Sequence, residues 1–148
     1  MDTLHLSNQL CFPFYAISKE ITKRYRPLLD PLHLTYPQYL VMLVLWEKDQ
    51  LALKEIGARL HLDSGTLTPL INKLISTGYI EKARNPQDER QLIVQLTTRG
   101  RSLEKEAATI PEQLVEVLGL TEHEYLAYQK LLAEMTVKLG LVDEKTCE

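Results

Sequence analysis

The stretch LDSGTLTPLINKLIS, residues 62–76, decides how this chain is read. Its apolar residues Leu67, Leu70, Ile71, Leu74 and Ile75 fall at i, i+3, i+4, i+7 and i+8, so one helical face must pack on a core. The other face is left free, and it carries Ser64, Thr66, Thr68, Asn72 and Lys73. These small or amide-bearing groups can approach phosphates and base edges, the composition expected of a helix inserted into a DNA major groove. Asp63 or Ser64 supplies the N-cap, which turns the helix start and its unpaired N–H groups toward an anionic partner. Pro69 leaves the register open. A start at Ser64 puts the ring in the second turn at the loss of a backbone bond, whereas a start at Thr66 puts it in the tolerated first turn. Alone, such a stretch is more often an ordinary surface helix, so its neighbours decide.

Residues 53–60, LKEIGARL, read as a shorter helix with Ile56 and Leu60 on the core side and no polar N-cap at Leu53. HLDSG turns it into the opening stretch, and the two form a helix-turn-helix pair. After Gly78 the period changes from helical to alternating in YIEKAR and QLIVQLT, with Asn85, Pro86 and Asp88 as turn formers between them. Residues 79–97 are therefore a hairpin with a polar tip, and a helix-turn-helix followed directly by a hairpin is a winged helix. The tip RNPQDER would hold Arg84 and Arg90 where a neighbouring minor groove lies. The plainer alternative is a solvated hairpin with incidental charges.

Outside this lobe the chain is helical. Residues 6–25 recur with Leu6, Leu10, Phe14, Ile17 and Ile21 at helical spacing, dented by Pro13, and Pro27 and Pro31 bracket a short connection. Thr35, Pro37 and Gln38 make a capping-box start for a helix ending near Glu47. Residues 98–117 read as one long helix despite Pro111, stopped by Gly119. Thr121 and Glu124 cap a last helix to about residue 139. These terminal helices carry more apolar surface than a lobe of about 60 residues can cover, and pairing with a second copy would bury it. The expected architecture is a mainly α chain with a small β-hairpin. A winged helix-turn-helix lobe at 36–100 sits between dimerisation helices at 1–35 and 101–148 of a single 1–148 unit.

At 148 residues and 45% hydrophobic composition the chain supports one real core. It has neither an 18-residue apolar run nor a basic leader, so a cytoplasmic protein with no membrane partner is expected. The net charge of −3 hides a segment, residues 59–105, that carries +3 against −6 elsewhere, a footprint compatible with nucleic acid. No metal-binding or cofactor-binding pattern is present. Two cysteines, Cys11 and Cys147, are too few for a disulfide framework.

Cys11 sits in QLCFPFY, one turn before Tyr15, with Tyr25 and Tyr36 further along. A core thiol on an apolar helix face is the bland reading. A reactive thiolate would need donors such as phenol O–H groups and the electropositive first turn of a helix.

QLCFPFY, ITKRYRPLLD, LTYPQYL, LDSGTLTPL and DER, in this order and spacing, resemble the organic hydroperoxide resistance regulators, a branch of the multiple-antibiotic-resistance regulator (MarR) winged-helix family. The resemblance runs over about residues 6–100. It implies a homodimeric repressor, not an enzyme, that binds an inverted-repeat operator and leaves it when an organic hydroperoxide oxidises Cys11. It also implies that Tyr25 and Tyr36 hydrogen-bond that sulfur across the dimer, with Tyr15 in the same pocket. Ser64, Thr66, Thr68, Pro69, Asn72 and Lys73 would line the major groove. Arg90, its guanidinium held by Asp88, would enter the minor groove with Arg84 nearby. Some relatives use a second cysteine on the fifth helix; here none lies between Phe12 and Thr146, so a low-molecular-weight thiol is the expected partner of the oxidised sulfur, and Cys147 is given no role.

Three other readings compete. A winged-helix regulator could sense a small aromatic anion in the dimer crevice, with Cys11 merely core. A reactive cysteine that consumes peroxide could be a thiol peroxidase, although nothing resembles the strand-rich scaffold of those enzymes. A winged helix can also bind protein rather than DNA, which the acidic net charge leaves open.

Overall fold

The computed structural model describes residues 3–142, so Cys147 lies outside the described residues. Helix α1 (Cys11–Leu29) leads through a 3-10 turn at Asp30–Leu32 to α2 (Tyr36–Glu47). The lobe follows as β1 (Leu51–Ala52), α3 (Leu53–Leu60), α4 (Ser64–Thr77), β2 (Ile80–Asn85) and β3 (Asp88–Leu96). Then come α5 (Thr98–Ala107), α6 (Ile110–Leu118) and α7 (Glu122–Lys138). Among the described residues no helix is long and apolar enough to cross a membrane.

Helix α2 is the centre. Val41, Met42 and Leu45 are fully buried, and α1, α3, α4 and α5 all pack on it. Its start is the expected capping box: Thr35 Oγ1 accepts from Gln38 N–H, and Gln38 Oε1 accepts from Thr35 N–H. Helix α4 contributes Leu67, Ile71 and Leu74 to the same core, while Leu70 and Ile75 lie at its margin. The antiparallel sheet has the order β1-β3-β2, with Leu51 opposite Val94 and Ile80 opposite Leu96.

Four boundaries differ from the expectation. Helix α1 begins at Cys11 rather than residue 6, because Pro13 has no N–H to give and is tolerated only in the first turn. It runs on through Pro27 to Leu29, which is buried and offsets the missing backbone bond. Strand β1 is too short to leave a periodic signal; it also solves the missing cap of α3, since Glu55 Oε2 accepts from Ala52 N–H at 2.8 Å. The expected long fifth helix is two, broken at Ala108 and Thr109, because Pro111 cannot donate back to Ala107.

In the single chain the terminal helices are poorly covered. Leu10, Ile17, Leu126, Leu131 and Leu132 are all exposed, and α7 buries none of its 17 residues. Apolar surface of that extent marks an interface.

Candidate DNA-facing surface and thiol site

The register left open by Pro69 is settled at the N-cap. Asp63 Oδ1 accepts from Thr66 N–H at 2.8 Å, and α4 starts at Ser64. Pro69 is thus inside the helix, where it cannot bond back to Gly65, a residue with no side chain to crowd the ring. The backbone and side chain of Thr66 both bond Asp63 and hold its carboxyl below the usual range, so one first-turn N–H is already taken by the chain itself. Ser64, Thr66, Pro69, Asn72 and Lys73 are exposed, and Thr68 is half-buried with its hydroxyl donating to Ser64 O at 2.7 Å. Among the described residues Asn72 and Lys73 make no side-chain bond to the chain, so their polar ends are available.

At the hairpin tip, Arg84 Nη1 donates to Glu89 O at 3.3 Å, and Arg84, Glu89 and Arg90 line an open cleft. Asp88 does not clasp the Arg90 guanidinium as expected. Its Oδ1 accepts from the Arg90 backbone N–H at 3.1 Å, because a carboxylate two residues back in a tight turn reaches the main chain first. The described ion pairs are Arg24–Glu20, Arg59–Glu47 and Arg101–Asp49, which leaves the Arg90 guanidinium unpaired.

Cys11 is exposed, not a core thiol, and is the first residue of α1. Leu10 provides no side-chain cap, so the first-turn N–H groups stay open and favour a nearby negative charge. Tyr15, one turn on, is exposed with Lys19 Nζ 5.0 Å from its ring centre.

The other two expected tyrosines are elsewhere. Tyr25 of α1 and Tyr36 of α2 stack with centroids 4.7 Å apart, and Tyr39, which sequence reasoning missed, joins at 5.8 Å from Tyr25. The i, i+3 spacing of Tyr36 and Tyr39 was the available signal. Burial raises the Tyr25 phenol far above its ordinary value, with Tyr36, Tyr39 and Tyr125 of α7 adding to the effect; burial raises Tyr36 and Tyr39 as well. They therefore remain protonated donors, yet among the described residues none of the three hydroxyls has a hydrogen-bond partner. Cys11 is fourteen residues from Tyr25 on one helix, roughly 21 Å at 1.5 Å per residue. Within one chain the sulfur and these phenols are not brought together.

A family model described as transcriptional regulator SarA/Rot matches residues 23–107. The chain is 42% identical over 144 residues to the organic hydroperoxide resistance transcriptional regulator of Bacillus subtilis, covering 97% of this chain and 96% of that one. It is 39% identical over 124 residues to the HTH-type transcriptional regulator SarZ of Staphylococcus aureus, covering 84% of each. Among solved structures it superposes on reduced AbfR bound to DNA with a TM-score of 0.72 at 33% identity, covering 93% of this chain and 95% of that one. The fold is also that of MarR from E. coli, with a TM-score of 0.66 at 24% identity, covering 86% and 96%. Both relatives are named as transcriptional regulators, which favours the regulator reading over the thiol peroxidase alternative. The chain is a transcriptional regulator of the SarA/Rot type, a MarR-family winged helix of the organic hydroperoxide resistance branch.

Proposed function

We propose that this chain is a redox-sensing repressor that binds an inverted-repeat operator as a homodimer and is released when an organic hydroperoxide oxidises Cys11. Residues 36–100 form the reading lobe, and 1–35 with 101–148 join the copies. The observation that carries the proposal is the pair of protonated phenols of Tyr25 and Tyr36, which have no hydrogen-bond partner among the described residues, with Tyr25 about 21 Å along α1 from an exposed thiol. Among the described residues no thiol of the same chain lies near them, so the thiol of a second copy is the partner that fits, and the uncovered apolar faces of α1 and α7 supply the seam. Tyr15 sits one turn from the sulfur and lines its surroundings.

The chemistry follows from these groups. The thiolate attacks the outer oxygen of the peroxide bond, giving a sulfenic acid and an alkoxide that leaves as the alcohol after taking a proton. The sulfur thereby loses its charge-assisted bonds to the phenols. A low-molecular-weight thiol then condenses with the sulfenic acid, forming a mixed disulfide and water. The adduct enlarges the seam, and the two lobes shift as rigid bodies, so that both α4 helices no longer reach successive major grooves. Ser64, Thr66, Thr68, Pro69, Asn72 and Lys73 face the major groove, and Arg84 and Arg90 the minor groove, with Asp88 holding the turn. AbfR, a similar protein solved on DNA in its reduced form, supports DNA binding by a chain of this fold. Phe12, Phe14 and Leu10 around the sulfur favour organic peroxides over hydrogen peroxide.

The test is an operator titration of reduced and cumene hydroperoxide-treated protein, with mass spectrometry on Cys11. Treated wild type is expected to lose DNA while Cys11→Ser holds it. Release of Cys11→Ser by peroxide would remove the cysteine from the mechanism.

A further inference from the structure

The aromatic cluster does not end at the phenols. Tyr39 meets Trp46 edge-on, with centroids 6.3 Å apart, and Tyr36, Tyr39 and Trp46 share one face of α2. The Trp46 indole then leaves that helix: its Nε1–H donates to the Gly100 carbonyl at 2.9 Å, a bond between residues 54 apart in sequence. We infer that Trp46 is a positioning residue through which a change at the tyrosine cluster reaches the C-terminal end of α4. This rests on the reading of Cys11 as the sensor.

Gly100 cannot move alone. A Cβ there would stand 2.0 Å from Tyr79 O, so the two backbones are in direct contact. The first turn of α5 is bonded to the end of α4 at three further points. Arg99 Nη1 donates to Thr77 O at 2.8 Å, Thr97 Oγ1 to Gly78 O at 2.6 Å, and Thr97 N–H to Tyr79 O at 3.0 Å. The circuit closes at the other side, where the buried Tyr79 hydroxyl donates to Leu32 O at 2.8 Å, in the turn between α1 and α2. Residues 77–79 are thus gripped from both ends of the element that carries Tyr36. Close-packed interiors pass a displacement on instead of absorbing it, so when Tyr25 and Tyr36 lose their sulfur partner, the tilt of α2 is carried by Trp46 into the α5 turn and on to α4. Trp46 touches neither the sulfur nor the DNA-facing residues, so its removal should uncouple the two events and leave each intact.

The experiment uses the full-length protein, a labelled duplex selected by the reduced protein from a random-sequence pool, and cumene hydroperoxide with excess low-molecular-weight thiol. Trp46→Phe keeps a ring and loses the N–H. Its reduced Kd is expected to stay within about threefold of wild type and its rate of Cys11 oxidation within about twofold, while the oxidised-to-reduced Kd ratio falls at least about fivefold toward one. A ratio equal to that of wild type overturns the inference. A wild-type ratio of one overturns the sensor reading itself, and the inference with it. If circular dichroism finds Trp46→Phe unfolded, wild-type emission decides, because Trp46 is the single tryptophan of the chain. Its spectrum is expected to shift on oxidation and to stay fixed in Cys11→Ser; an unmoved wild-type spectrum overturns the inference.

Discussion

Tyr25 on α1 and Tyr36 on α2 stand with ring centroids 4.7 Å apart and planes tilted by 33°. The contact holds two phenol hydroxyls at one place on the surface with no acceptor from the described chain. A hydrogen bond to an anion contributes about 1.5–3 kcal/mol, so Tyr25→Phe is expected to slow oxidation of Cys11 roughly tenfold and the double Tyr25→Phe, Tyr36→Phe change further. Stopped-flow loss of thiol under cumene hydroperoxide measures it. Unchanged rates in the double variant would mean that the phenols do not hold the sulfur.

The same burial makes a prediction for alkaline pH. Tyr25, Tyr36 and Tyr39 are three of the seven tyrosines, and all three are raised above the ordinary phenol value. A raised folded value means the neutral form is favoured by the fold, so this stability is complete below the ordinary phenol value and declines as pH climbs past it. Absorbance at 295 nm should therefore show late ionisation of these three tyrosines, coinciding with loss of helix.

At the wing, the unpaired Arg90 guanidinium is available to DNA. Arg90→Ala is expected to weaken operator binding about tenfold and to reduce the slope of log K against log salt by about one per lobe. Anisotropy titrations over a salt series read both. An unchanged thermal melt alongside establishes that the hairpin still folds, and unaltered binding would exclude the wing.

Gly100 faces Tyr79 O with no room for a methyl group. Gly100→Ala should cost about 3 kcal/mol or more, seen as a fall of roughly 10 °C in the melting temperature. Gly119→Ala, where no atom lies within 4 Å of the added carbon but φ is +66°, isolates backbone strain from crowding and should cost less.

Asp63 is held ionised by Thr66 at the start of α4. Its depressed folded value means that the stabilisation is full above the usual carboxylate range and is lost as pH falls through that lowered value. Asp63→Asn keeps a capping oxygen without the charge, so its melting temperature should vary less with pH in the acid range than that of wild type. Parallel pH profiles would show that the charge contributes nothing.

The order of elements was legible from local chemistry. The Thr35–Gln38 and Thr121–Glu124 boxes, the period change after Gly78 and the apolar stripe of α4 depend only on near neighbours, and the structure has them as expected. Two of the failures depended on distant ones: strand β1 exists because β3 offers it a partner, and Pro27 stays helical because Leu29 reaches the core. The Asp88 contact failed locally, because the tight turn brings a main-chain N–H to the carboxylate first. The candidate site divides in the same way. Sequence alone determined that a cysteine, its flanking aromatics and a polar helix face are present, since each is a matter of residue type and spacing. Only the tertiary structure decided that Tyr25, Tyr36 and Tyr39 form one cluster, that Cys11 cannot reach it within its own chain, and that Trp46 ties α2 to α5. Those relations join residues far apart in the chain, and they are fixed by how helices pack, which no local pattern encodes.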